Sequence, residues 1–122
     1  MPRVIQAVQH SGTPTIAAAQ TSAGVSGVAV ASGSSDQSGQ VSITTGTTAA
    51  AGAQATVSFS SAFRSAPKVI LLSHVDDASG ATAMELRCKT LATNSFIIST
   101  PSTPANSKTY VVAYAVIPED GE

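Results

Sequence analysis

The chain has 122 residues, room for one domain. A formal charge of −1, with six Lys and Arg scattered between Arg3 and Lys108, supplies no concentrated cationic surface to displace phosphate counterions and argues against a nucleic-acid partner. No run approaches the roughly 20 apolar residues of a spanning helix, and Gln6, Gln9 and His10 interrupt the start before a signal-peptide core forms, so synthesis in the cytoplasm and no membrane partner are expected.

Apolar bulk is scarce. Ala accounts for 21 residues, whereas Val, Ile, Leu and Phe together make 26, and Trp is absent. A core this poor in large side chains is expected to draw stability from contacts between copies of the chain.

In chain order, a short strand is expected near Val4 to Val8. Ser, Thr, Ala, Gly and Gln then dominate from Ser11 to Gln40, with Ile16, Val25, Val28 and Val30 as the substantial apolar groups. Such a stretch cannot close a core alone, and its helical option, Ile16 to Gln20, is too short to persist in water. Fixing each backbone residue costs roughly 1–2 kcal/mol, which these few side chains do not offset within one domain. Residues 1–35 are therefore expected to form an N-terminal arm that docks on neighbouring chains through Val4, Ile5, Val8, Ile16, Val25, Val28 and Val30.

From Gly39 a period of two emerges. Val41, Ile43 and Thr45 alternate with polar residues, as do Ala55, Val57 and Phe59, and both segments read as half-buried strands. The segment from Gly46 to Gly52 reads as their connection. Pro67 opens the nearly continuous apolar run Lys68-Val69-Ile70-Leu71-Leu72-Ser73, which suits a central strand covered on both faces. A turn-rich loop from His74 to Gly80 follows. In Met84-Glu85-Leu86-Arg87-Cys88-Lys89, apolar and charged residues alternate, so the single thiol, Cys88, is expected inside the core, with Glu85, Arg87 and Lys89 on a solvated face. Phe96 and Ile98 mark the next strand, and the loop from Pro101 to Asn106 closes it. The last strand runs from about Lys108 to Ile117 with Tyr110, Val112, Tyr114 and Val116 on one side. Residues 118–122 form an acidic tail.

Six to seven strands linked by Gly, Pro, Ser and Asn loops describe an all-β antiparallel β-sandwich or jelly roll over residues 36–117, preceded by the arm. No repeat argues for a solenoid.

The segments Ser38-Gly39-Gln40-Val41-Ser42-Ile43-Thr44-Thr45-Gly46, Ala55-Thr56-Val57-Ser58-Phe59, Phe63-Arg64-Ser65-Ala66-Pro67-Lys68-Val69-Ile70-Leu71 and Asn94-Ser95-Phe96-Ile97-Ile98 resemble, in this order, a module of phage virion proteins, found at fibre tips and as small particle-surface proteins. The Val-x-Phe, Phe-x-x-x-Pro-x-Val and Ser-Phe-Ile segments are also similar to the framework of H-type lectin domains. The resemblance implies a homo-oligomer, a trimer above all, located on the virion and contacting other virion proteins such as the major capsid protein. The lectin likeness implies, as the alternative, a tail fibre tip that binds host surface glycan. Where the phage modules often carry Gly-Thr-Asp-Thr-Ala-Gly before the first strand, this chain has Gly33-Ser34-Ser35-Asp36-Gln37-Ser38-Gly39.

Enzymatic chemistry requires a nucleophile, a base and an orienting group in reach. His10 lies beside Ser11 and Gly12 with no such company, no Gly-rich segment ends in the Gly-Lys-Ser/Thr of a phosphate loop, and one cysteine cannot build a thiolate metal site. No catalytic residue, metal site or cofactor is expected. The strongest ligand candidate is His74 with Asp76 and Asp77, an imidazole and two carboxylates in one loop, able to grip a sugar hydroxyl or a cation. The same Asp-Asp pair before Ala-Ser-Gly also serves ordinary turn capping.

Overall fold

The structure, a computed structural model, describes residues 12–67, 69–75 and 85–117. It is all-β: two four-stranded antiparallel sheets packed face to face. The strands are β1 (Thr15–Ala18), β2 (Val25–Val30), β3 (Ser38–Thr45), β4 (Gly52–Ser58), β5 (Val69–Val75), β6 (Arg87–Lys89), β7 (Ser95–Thr100) and β8 (Thr109–Ile117). One sheet has the order β1-β4-β7-β6 and the other β2-β3-β8-β5. The described residues thus hold eight strands, against the six to seven expected. Only β2–β3 and β6–β7 are both consecutive in the chain and adjacent in a sheet, so every other connection crosses from one layer to the other.

Two expectations fail here, for physical reasons. Residues 15–35 are not an arm: Ile16 pairs with Val57 across β1 and β4, and Val28 and Val30 pair with Ile43 and Val41 across β2 and β3. Val25 lies in the core at 2% exposure, with Ile16, Val28 and Val30 packed against it. The stretch needs few large side chains because sheet hydrogen bonds order it, not docking on another chain. Of the proposed docking residues, Val4, Ile5 and Val8 lie outside the described residues, as does the acidic tail. Nor is β5 central. Among the described residues it forms an edge of its sheet, bonded to β8 alone, and Leu71 on its outer face is 55% exposed.

The core follows from alternation. Val41 and Ile43 on β3, Phe96 and Ile98 on β7, and Tyr110, Val112, Tyr114 and Val116 on β8 all point between the sheets. All three Phe of the chain join one run of rings. Phe63 meets Phe59 edge-on at 4.8 Å, Phe59 lies 5.7 Å from Phe96, and Phe96 lies 6.0 Å from Tyr114. Such contacts contribute roughly 0.5–1.5 kcal/mol each beyond the area they bury, so the few aromatics are placed where they reinforce one another.

Two β-bulges adapt the pattern. The register shifts between Val25 and Gly27, which leaves Ser26 as the extra residue and returns Val25 and Val28 to one face although they stand three apart. A second shift between Ala53 and Ala55 turns Gln54 inward beside Ala55, and both are buried. The connection from Gly46 to Gly52 is as expected, and Gly46 has a strict reason to be glycine: a Cβ there would stand 2.2 Å from the Ala23 carbonyl oxygen.

At one end of the sandwich the turn before β3 is built around Asp36, whose side chain is fully buried. Its Oδ1 accepts the Ser60 amide at 2.8 Å, while Oδ2 accepts the Ser60 hydroxyl at 2.8 Å and the Ser61 amide at 3.1 Å. The Asp36 amide donates to the Gly12 carbonyl at 2.9 Å. The same turn is tied to β8, since Tyr114 donates its hydroxyl to the Ser35 carbonyl and the Val116 amide donates to the Gln37 carbonyl. A buried carboxylate persists only when its oxygens are hydrogen-bonded, and here the bonds join the two sheets.

Replacing Asp36 should therefore be among the costliest single changes. Asp36→Ala leaves two amides without acceptors and is expected to lower unfolding free energy by about 3 kcal/mol or more, while Asp36→Asn, which keeps one acceptor, loses roughly half as much; urea denaturation midpoints measure both. Tyr114 offers a second check. Burial first, then the negative charge of Asp36, pushes its phenol up to about 12, against a hydrogen bond from Ser34 that lowers it. Because the unfolded phenol ionises near 10, stability holds below pH 10 and falls as pH rises from about 10 to about 12, by about 2–3 kcal/mol. In Tyr114→Phe this alkaline loss should vanish from the pH dependence of the unfolding midpoint.

Candidate functional site

The ligand candidate from sequence is only partly placed. His74 sits near the end of β5, opposite Val112 of β8, with its ring 5.9 Å from that of Tyr110. Asp76 and Asp77 lie outside the described residues. Among the described residues, no group of three or more His, Cys, Asp or Glu is arranged to hold a metal ion.

What the structure adds is a neighbour for His74. Along with Leu86, Pro104, Tyr110, Ile98 and Gln54, it lines an apolar crevice between the two sheets. Pro104 belongs to the loop after β7, so this loop meets His74 of β5 at the crevice. The Pro104 loop is firmly held. Thr45 donates its hydroxyl to the Ala105 carbonyl at 2.6 Å and accepts the Lys108 amide at 2.9 Å, and the Ala105 amide donates to the Tyr110 hydroxyl at 2.9 Å. Asn106 Oδ1 accepts the Ala49 amide at 2.9 Å. A surface loop fixed by this many bonds presents a defined shape.

Gln54 is a buried residue of the crevice lining, and sequence reasoning missed it. Its Nε2 donates to the carbonyls of Ala50 at 2.7 Å and Gly52 at 3.1 Å and to the Thr100 hydroxyl at 3.1 Å. Those acceptors fix which way the amide faces, and among the described residues its Oε1 accepts no hydrogen bond. A glutamine inside an alternating strand looks like an outward residue. Only the bulge turns it inward.

Cys88 faces inward, as its alternation predicts: it pairs with the buried Ile98 and packs against the core. It is half-buried and not enclosed, because β6 is a three-residue edge strand. Burial pushes its thiol up, away from the thiolate form that nucleophilic chemistry requires. Arg87 and Glu85 lie on the solvated side, paired at 2.7 Å, a geometry that contributes little in water.

A different surface stands out on the sheet containing β5. The outward residues of β8, Val111, Ala113 and Ala115, face Val75, Ser73 and Leu71 of β5 in register, and Ile117 follows them on β8. Ile117 is 48% exposed and Leu71 55%. The other sheet has Thr15, Ala17, Thr56, Ser58, Ser95 and Ser99 on its outer side, with Ile97 beside Lys89. One outer face is therefore apolar along β5 and β8, and the other is predominantly hydroxylated. No family model, curated protein or solved structure matches the chain.

Proposed function

We propose that the chain is a structural subunit of a phage particle, a capsid decoration or head-appendage protein that packs against copies of itself and against neighbouring particle proteins such as the major capsid protein. The observation that carries this reading is the apolar strip on β5 and β8, where Leu71 and Ile117, the exposed large apolar side chains among the described residues, are each more than 40% exposed. A face of this kind suits permanent contact with other protein surfaces. The order of β3, β4, β5 and β7 segments that resembles phage virion modules supports the same reading. The proposal does not rest on an arm at residues 15–35, because those residues belong to the sheets.

The expected outcome is that density-purified particles encoded alongside this gene contain the chain at a fixed ratio to the major capsid protein, measured by quantitative peptide mass spectrometry. Its absence from such particles, with the chain found free in the lysate, would overturn the reading.

One observation favours the lectin-like alternative. The crevice brings His74, the ligand candidate, beside Pro104 of the firmly held loop after β7, so an imidazole and a surface loop of fixed shape share one opening. On that reading a fluorescent glycan array gives discrete binding, and His74→Ala lowers it by about tenfold, the loss expected for one hydrogen bond of roughly 1.4 kcal/mol. An empty array, or binding unchanged by His74→Ala, would remove this alternative.

A further inference from the structure

The four sheet edges of the described residues differ in how well they are protected against pairing with another strand. An open edge presents unpaired amides and carbonyls, and folded proteins blunt it by shortening, charge, proline or a bulge. β1 has four residues and β6 has three, with Arg87 and Lys89 pointing outward. β2 carries the bulge between Val25 and Gly27. Among the described residues, β5 has none of these devices. It is seven residues long, runs in unbroken register with β8, and contains no Lys, Arg, Asp, Glu or Pro.

From this contrast we infer that β5 is a dimerisation edge: it pairs antiparallel with β5 of a second copy of the chain, joining two four-stranded sheets into one of eight. The choice of a second copy rests on three features of the edge itself. Antiparallel pairing of identical strands under a two-fold axis is self-complementary, so each amide and carbonyl offered by one copy meets its counterpart on the other. Val69-Ile70-Leu71-Leu72-Ser73-His74-Val75 lacks carboxylate, ammonium and guanidinium groups, so self-pairing sets none of these against its own kind. A charged partner would find no counter-charge along the strand to recognise. Pairing at this edge also brings the apolar strips together, since Leu71 lies on the outer face beside Ala115 and Ile117 stands at the end of the same strip.

This inference goes beyond the virion reading, which takes the apolar strip on β5 and β8 as a contact face but assigns it no partner geometry, and it holds or fails independently of where the protein resides. It also differs from the three-fold assembly that the resemblance implies, because a two-fold contact closes with two chains.

The test is the oligomeric state of the full chain by light scattering coupled to size exclusion at micromolar concentration. A mass of two chains is expected, falling twofold to one chain in Leu71→Lys/Ser73→Lys, with the far-ultraviolet circular dichroism of the sandwich retained. Thr15→Lys/Ala17→Lys, on the β1 edge, should stay dimeric. Should the β5 variant fail to fold, hydrogen exchange on the unaltered protein decides the matter. In a monomer, alternate amides of residues 69–75 are bonded to β8 and the others exchange freely. In the proposed dimer the second set slows at least tenfold as concentration rises through the dissociation constant. A single-chain mass, a three-chain mass, a dimer that survives the β5 lysines, or alternate amides that stay fast at every concentration would each overturn the inference.

Discussion

A buried carboxylate holds this fold together at one end. Asp36 lies between layers that share few consecutive strands, and its three accepted hydrogen bonds reach the end of β4 while its own turn is tethered to β8 through Tyr114 and Val116. Desolvating a charge is expensive, and amide donors aimed at both oxygens offset that cost only in one geometry. The turn is built for that geometry. Ser34 bonds both the amide and the carbonyl of Gln40, Ser35 closes onto Ser38, and a Cβ on Gly39 would stand 2.3 Å from Ser34. The Ser-Ser-Asp-Gln-Ser-Gly segment, polar and featureless as composition, is thus a joint in which the side chains of Ser34, Ser35 and Asp36 each bind the backbone.

The rest of the molecule shows the same economy. The apolar side chains are few, yet the rings of Phe63, Phe59, Phe96 and Tyr114 form one continuous run through the core. Tyr114 belongs to both systems: its ring extends that run and its hydroxyl holds the Asp36 turn. Core packing and the polar joint are therefore coupled, and the inter-layer connections that follow from the strand order interleave the two sheets along the chain. The exposed apolar strip on β5 and β8 contrasts with this thrift. A chain with so little apolar surface to spend leaves Leu71 and Ile117 outside, which is why that face, and not a loop, carries the functional reading.

The parts of this architecture that were legible in the sequence are those in which alternation runs undisturbed. Val41 and Ile43, Phe96 and Ile98, and Tyr110 through Val116 announce half-buried strands because one side chain in two must face the core. Legibility fails where a bulge resets parity. Val25 and Val28 are an odd number of residues apart, which excludes a common face until Ser26 is seen as the extra residue, and Gln54 reads as outward until the same device turns it inward. β1 offers one large apolar residue, Ile16, in a four-residue strand, too little for a periodic signal. β5 misleads in the opposite direction: a continuous apolar run marks burial on both faces only when strands lie on both sides, and here it marks an edge. Of the candidate site, His74 was identifiable from its chemistry, but its juxtaposition with Pro104 and Gln54 arises from contacts distant along the chain.

The position of β8 has a consequence for how the protein is made. It lies between β3 and β5, the middle of its sheet, yet it is the last of the eight strands to be synthesised. At about 5–20 residues per second, translation from Val75 to Ile117 takes roughly 2–8 s. During that interval β5 has emerged without β8, its partner strand among the described residues, and β3 is covered on one side alone. The sheet therefore closes after the C-terminal strand clears the ribosome, and the nascent chain meets the cell with its most adhesive segment still unpaired.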